Sequence, residues 1–335
     1  MNRIGLAAGY DSFMSVQEIA GWMKQADERG FEIGFFSETI ELMRDSVSAL
    51  AAFGLATERI ALGCVQVVRL RTPILMAQSL VTLDELTGGR MVLAPGACTK
   101  SHSRRHGLEP INPILTLTEW VESIRLLVTG EKVSYQGEVV NFKDVEFGWK
   151  PIRTHIPLWI PATSRTGLRA AGKIGDGVLL NATCSPEYSA NAIKILRESV
   201  EEAGRDWEAF EVAQLINCSI EDDHEKALDA IRWEVASKFD PIQIPFIAGP
   251  KMRVGEPYIN KEDLPKFAEA YTRGGKEALM KAIPNSYVEG MTAAGTPEEV
   301  KKRVQQYRDV GVRLPILRPA APHHTQRILD LFASN

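Results

Sequence analysis

The sequence predicts an α/β protein folded as a single (β/α)8 TIM barrel over residues 1–335, with an inserted β-hairpin and a lid-like insertion near residues 239–290. Two observations carry this expectation. Apolar runs of strand character alternate with stretches of helical spacing, giving eight strand candidates. Strands joined through helices run parallel, with right-handed crossovers. The length of 335 residues also suits one such barrel with insertions. The competing arrangement, an open doubly wound sheet, requires a glycine-rich fingerprint after the first strand. Gly5-Leu6-Ala7-Ala8-Gly9 is too short and badly placed to be one.

Taken in order, Arg3–Ala8 reads as a strand and Val16–Arg29 as a helix of i, i+3, i+4 apolar spacing, which Gly30 ends. Phe31–Ser37 is strand, Ser46–Thr57 helix, Ile60–Gln66 strand, Pro73–Thr87 helix with proline in its first turn, and Arg90–Pro95 strand. KSHSRRHGLEPINP reads as an irregular basic loop. A helix is then expected from near Thr116 to about Thr129, opened by a Thr116-x-x-Glu119 capping box. VSYQGEVVNFKDVEF, residues 133–147, alternates with period two around Gly137, as a hairpin does. The alternation resumes with strand Leu158–Pro161, helix Gly167–Ile174, strand Gly177–Asn181, helix Pro186–Ala203, strand Phe210–Ile220 and helix His224–Lys238. Residues 239–290 hold six prolines and one helical patch near 263–282. Their Phe239, Phe246, Met252, Tyr258 and Tyr271 either cover a substrate or form a small core of their own. Gly295-Thr296-Pro297-Glu298-Glu299 opens a last helix, which feeds the strand Val312–Leu317.

A chain that is 44% hydrophobic and 24% charged falls in the ordinary globular class. Its net charge of −4 argues against a nucleic-acid or anionic-membrane partner, either of which calls for a basic field. The N-terminal MNRIGLAAGYDSF has no signal-peptide apolar run, and no segment approaches the roughly 20 apolar residues of a membrane span. A cytoplasmic location is expected. Cys64, Cys98, Cys184 and Cys218 form no CxxC pair, so neither a zinc site nor a disulfide framework is indicated. Buried thiols are the simple reading, with a reactive Cys98 as the alternative.

In a (β/α)8 barrel the site is built at the strand C-termini. Those positions are Ala8 and Tyr10, Ser37 and Glu38, Cys64 to Val67, Gly96 to Thr99, Ala162 to Thr166, Asn181, and Ser219 with Glu221. They include no Schiff-base lysine, no His/Asp/Glu cluster at metal spacing and no Gly-x-Ser-x-Gly elbow. So sparse a set implies that a cofactor supplies the reactivity. Thr163, Ser164, Arg165, Thr166 and Gly167 stand where a strand hands over to a helix. Their backbone N–H groups are either capped by side chains or turned toward an anion.

Three stretches carry a resemblance: Ile60-Ala61-Leu62-Gly63-Cys64-Val65, then Arg71-Thr72-Pro73, then Thr82-Leu83-Asp84-Glu85-Leu86-Thr87-Gly88-Gly89-Arg90. With the later block Gly172-Lys173-Ile174-Gly175-Asp176-Gly177-Val178-Leu179-Leu180-Asn181, the chain resembles the bacterial luciferase-like superfamily. It is most similar to the branch of methylenetetrahydromethanopterin reductase and other coenzyme F420-dependent enzymes. The resemblance implies an oxidoreductase passing hydride between the deazaflavin C5 and a small organic substrate. An FMN-dependent monooxygenase is the alternative, and a non-enzymatic ligand-binding or subunit-association barrel the second. A homodimer or higher homo-oligomer is implied as well.

The same resemblance places the cofactor phosphate at Thr163, Ser164, Arg165 and Thr166, and the ring against Cys64, Val65 and Gln66. Relatives have a bulge with a non-prolyl cis peptide at the position of Val65-Gln66, so a bulge is expected here. Ser37, Gly96, Ala97 and Asn181 complete the implied cofactor positions, and the loop Lys100, His102, Arg104, Arg105, His106 offers a cationic rim. Asp176 and Gly88-Gly89-Arg90 read as turn residues without chemistry. The chain departs from the family pattern in having Glu38-Thr39 where many relatives have Asp-His, Ala7-Ala8-Gly9 where some have glutamate, and Thr99 at an acidic position. Glu38 is therefore the candidate catalytic carboxylate, with an arginine ion pair as its other reading.

Overall fold

A computed structural model describes residues 3–7, 14–38, 43–98 and 100–333. The chain packs as two compact units, each discontinuous in sequence. One lies within Ala8–Pro161 and Ala170–Val178, the other within Met1–Ala7, Ala162–Arg169 and Leu179–Asn335.

The chain begins β1 (Gly5–Ala7), α1 (Val16–Glu28), β2 (Ile33–Ser37), α2 (Ser46–Ala56), β3 (Ala61–Val67), α3 (Pro73–Leu86) and β4 (Met91–Gly96). It continues α4 (Lys100–Arg105), α5 (Pro113–Leu127), β5 (Val133–Gln136), β6 (Asn141–Val145), β7 (Trp159–Ala162), α6 (Arg165–Ile174), β8 (Gly177–Leu180) and α7 (Pro186–Glu202). The remainder is β9 (Glu211–Ile220), α8 (His224–Ala236), α9 (Gly249–Val254), α10 (Leu264–Ala282), α11 (Asn285–Met291), β10 (Ala293–Gly295), α12 (Pro297–Asp309), β11 (Leu314–Pro319) and α13 (Pro322–Phe332). The eight strands read from the sequence all form, as β1 to β4, β7 to β9 and β11, and the β5–β6 hairpin stands where period two placed it.

In the first unit β2, β3 and β4 run parallel, with Ile33 opposite Ala61 and Leu62 opposite Met91. Every residue of β2 and β4 is buried, which continuous apolar runs permit. Helix starts follow local chemistry. Ser15 and Glu18 close a capping box on α1, Asp45 caps α2, and Thr72 caps α3 ahead of Pro73. The Gly88-Gly89 turn takes φ of 65° and 87°, a region that suits glycine. Arg90 then reaches back to the carbonyls of Ile60 (2.6 Å) and Thr57 (2.9 Å), locking that turn to the preceding strand. Asp84 receives Arg153 through both carboxylate oxygens and also accepts the Met91 N–H at 3.1 Å. Asp176 accepts the Leu158 N–H at 2.9 Å and pairs with Arg125, so its role is the structural one expected.

Two expectations are corrected here. α5 starts at Pro113, because the Asn112 side chain accepts the N–H groups of Ile114 and Leu115, and Pro113 presets the first turn. The Thr116/Glu119 capping box therefore does not form. Glu119 is buried and accepts the N–H groups of Glu138, Val139 and Val140 across the hairpin turn, at 2.8, 2.8 and 2.7 Å. The basic stretch after β4 is also not wholly irregular, since Lys100–Arg105 forms one short helix.

In the second unit β1 pairs parallel with β11, β11 with β9 and β9 with β10. The late insertion is helical and has its own core. Phe239, Phe267 and Tyr287 meet edge to face, 5.4 Å between ring centroids, over Leu228, Ile231 and Val235 of α8. Met252 and Tyr258 pack against that cluster, whereas Phe246 and Tyr271 are exposed. Among the described residues no helix is long and apolar enough to cross a membrane.

Candidate active site

Seven of the sequence-derived site residues meet at the C-terminal ends of β2, β3 and β4. Ser37 ends β2 opposite Val65, and the Glu38 N–H donates to the Val65 carbonyl at 3.0 Å. The Glu38 carboxylate, 8% exposed, accepts Arg71 Nη2 at 2.7 Å, and the same nitrogen bonds Asp45 at 2.5 Å. Burial works against the Arg71 charge, but the two carboxylates more than offset it and hold the guanidinium above its usual range. The Arg71 carbonyl accepts the Trp120 indole N–H at 3.2 Å. Its Nε is buried and has no hydrogen-bond partner among the described residues.

The expected bulge at Val65-Gln66 is absent. Pairing with β4 runs one to one from Leu62 opposite Met91 to Val67 opposite Gly96, and no described peptide bond is cis. The reason is local: the buried Gln66 amide finds Ser46 Oγ at 2.9 Å, so the strand continues with its polar side chain satisfied. That hydrogen bond turns the Gln66 amide nitrogen toward α2. Cys64 is buried, and burial first, then the nearby Glu38 charge, push its thiol far above the ordinary range. It is no nucleophile. All four cysteines are buried and free, and Cys98, 2% exposed beside Ser103, lacks the access that a reactive thiol needs. Gly96 closes β4 and half-buried Ala97 follows it.

The second group sits at the start of α6. Ser164 is its N-cap: Oγ accepts the Gly167 N–H at 3.1 Å and the carbonyl accepts that of Leu168 at 2.8 Å. Capping uses only that donor of the first turn. The backbone N–H groups of Arg165 and Thr166, both exposed residues, meet no acceptor among the described residues. The Thr163 carbonyl takes the hydroxyl of buried Tyr188 at 2.7 Å, which fixes the handover from β7. Two free amide donors, one guanidinium and the Thr163 and Thr166 hydroxyls make a donor set that fits a phosphate.

Asn181, after β8, belongs to a different polar cluster, with no hydrogen bond to the Thr163–Thr166 turn among the described residues. Its Oδ1 accepts the Thr183 N–H at 3.3 Å and lies 3.5 Å from Nζ of Lys251. Lys251 is buried and also donates to the Thr183 carbonyl. Asn217 joins this cluster to Arg318, which pairs with Glu234 at 3.0 Å. Sequence reading missed Lys251 because it lies in the insertion, and gave Arg71 no role although it stands inside a quoted signature. Ala8, Tyr10 and Thr99 lie outside the described residues, as do the side chains of Lys100 and His102.

The sequence profile described as luciferase-like monooxygenase matches residues 1–314. The chain belongs to this luciferase-like family. Among curated proteins it is 29% identical over 305 residues to 5,10-methylenetetrahydromethanopterin reductase of Archaeoglobus fulgidus, covering 89% of this chain and 88% of the relative. It is 26% identical over 344 residues to F420-dependent glucose-6-phosphate dehydrogenase of Nakamurella multipartita, covering 98% and 94%. The solved coenzyme F420-dependent tetrahydromethanopterin reductase from Methanopyrus kandleri superposes with a TM-score of 0.86 at 23% identity, covering 99% of this chain and 97% of that one. At that identity the likeness speaks for the fold, and the fold is the (β/α)8 barrel that the strand count predicted. This luciferase-like protein is an oxidoreductase.

Proposed function

We propose that this luciferase-like oxidoreductase works with coenzyme F420, passing hydride between the deazaflavin C5 and a small organic substrate. The observation that carries the reading is the first turn of α6, whose N-cap leaves the Arg165 and Thr166 amides open toward an anion. Relatives whose names specify methylenetetrahydromethanopterin or F420, 29% and 26% identical over most of the chain, support this choice of cofactor. When bound, F420 supplies a two-electron hydride carrier whose ring carbon replaces the flavin N5. The chain's own groups would then bind and orient it. Thr163, Ser164, Arg165 and Thr166 would hold the phosphate. Ser37, Cys64, Val65, Gln66, Gly96 and Ala97 are the proposed ring contacts, with Asn181 a further polar contact. The unpartnered Arg71 Nε is a buried donor that a carbonyl-bearing ligand would satisfy. A cytoplasmic homodimer or higher homo-oligomer belongs to the same reading.

Titrating the protein separately with F420 and FMN tests it. One F420 per chain is expected, with little oxygen consumed after reduction. Binding of FMN alone with rapid oxygen uptake would replace this reading by a monooxygenase, and binding of neither would remove it.

Glu38 is the proposed catalytic carboxylate. General acid–base groups contribute about 10²–10⁴-fold, but Arg71 already engages one Glu38 oxygen, which blunts proton transfer. Glu38→Gln is accordingly expected to lower kcat about tenfold, with F420 affinity unchanged. Steady-state kinetics beside a binding titration check this; an unaltered kcat would leave Glu38 with the ion pair alone.

A further inference from the structure

Away from all these residues, the ends of β9 and β11 bring together three groups that sequence spacing keeps apart. Glu221 follows β9, and His323 and His324 lie in the first turn of α13. Glu221 Oε1 is 3.1 Å from His323 Nε2 and 3.8 Å from His324 Nε2, and one ligand atom from each residue lies within 4.8 Å of the others. Two donors bonded to one tetrahedral ion at ~2.1 Å stand roughly 3.4 Å apart, between these two distances.

The histidine that decides the matter is His324. Its side chain is 0% exposed and its Nε2 has no hydrogen-bond partner among the described residues. Nδ1 lies 3.2 Å from both the N–H and the carbonyl of Ile220. If Nδ1 donates to that carbonyl, Nε2 is a bare lone pair facing a carboxylate oxygen. If Nδ1 accepts instead, Nε2–H is a buried donor too far from Glu221 to bond it. Neither tautomer satisfies the ring, whereas a cation between Nε2 and Oε1 does.

The surroundings fit this use. The α13 start receives no side-chain cap, so the Glu221 carboxylate is directed at side chains rather than at helix amides. Arg327 holds its other oxygen, Oε2, at 3.3 Å and also pairs with Asp222, which orients the carboxylate and leaves Oε1 for an ion. His323 is largely exposed, so an ion has a path in. The field of the helix start opposes a cation only weakly and is screened by salt.

We propose that Glu221 Oε1, His323 Nε2 and His324 Nε2 form a binding site for a divalent transition-metal ion of the Zn2+ class, with the fourth position open to water. The experiment uses the full-length protein, stripped with EDTA and returned to chelator-free buffer. It is titrated with Zn2+ by calorimetry and with Co2+ by visible absorption. One ion per chain is expected, with the d–d bands of four-coordinate Co2+. His323→Ala, at a largely exposed position, is expected to weaken Zn2+ binding about tenfold or more and abolish the bands. Glu221→Gln does the same, and His155→Ala, a histidine in the other unit, changes nothing. Circular dichroism confirms that each variant is folded. Absence of stoichiometric binding to the unaltered protein, or unchanged binding in His323→Ala, overturns the site.

Discussion

Replacing Arg165 by proline is expected to weaken F420 binding about tenfold to a hundredfold beyond the effect of Arg165→Ala, with the thermal midpoint unchanged. Arg165 is the first residue of α6, where proline is tolerated because that N–H has no intrahelical partner. Ser164 before it is the N-cap, a position outside the helical region that a following proline disfavours. Alanine removes the guanidinium alone, while proline removes the guanidinium and the backbone donor together. A hydrogen bond to a charged group is worth about 1.5–3 kcal/mol, which converts to that range of affinity. Fluorescence titration of both variants isolates the amide. Equal dissociation constants would show that the helix start does not cradle the phosphate.

Glu119→Ala is expected to cost about 3–5 kcal/mol of stability, because three backbone N–H groups lose one charged acceptor that is itself buried. Gly137 could not adapt by gaining a side chain, since a Cβ there would stand 2.4 Å from Glu119 Oε2. The same group has a pH signature. Burial alone would raise the Glu119 pKa, but the three amides together outweigh it and the net shift is downward. A carboxyl lowered in the folded state stabilises fully above its unfolded value, about 4.3, and loses that contribution as pH falls through the lower folded value. Urea unfolding from pH 6 downward should therefore fall more steeply for the unaltered protein than for Glu119→Gln. Parallel pH profiles would show that the carboxylate contributes nothing specific.

Much of this was legible residue by residue. The helix starts at Val16, Ser46 and Pro73 and the Gly88-Gly89 turn stand where the sequence placed them, and the caps Ser15, Asp45 and Thr72 that fix those starts act within a few positions. The α5 start was misread because two local signals competed. Asn112-Pro113 lies upstream of Thr116 and supplies the first turn with both an acceptor and a preset φ. β10, three residues long, is too short to show a period, and α13 carries its histidines and proline where an apolar stripe would have announced it.

Strand and helix positions along the chain and the poverty of reactive groups at the strand ends are thus consequences of near neighbours, since period, cap and turn each act over a few residues. Partner choice is not. Whether Gln66 bulges or bonds Ser46, whether Glu38 is free or held by Arg71, and whether Glu221 meets two histidines 102 and 103 positions away depends on which elements pack together. A buried polar group must find its partner wherever packing provides one, and no period or spacing in the sequence records where that is.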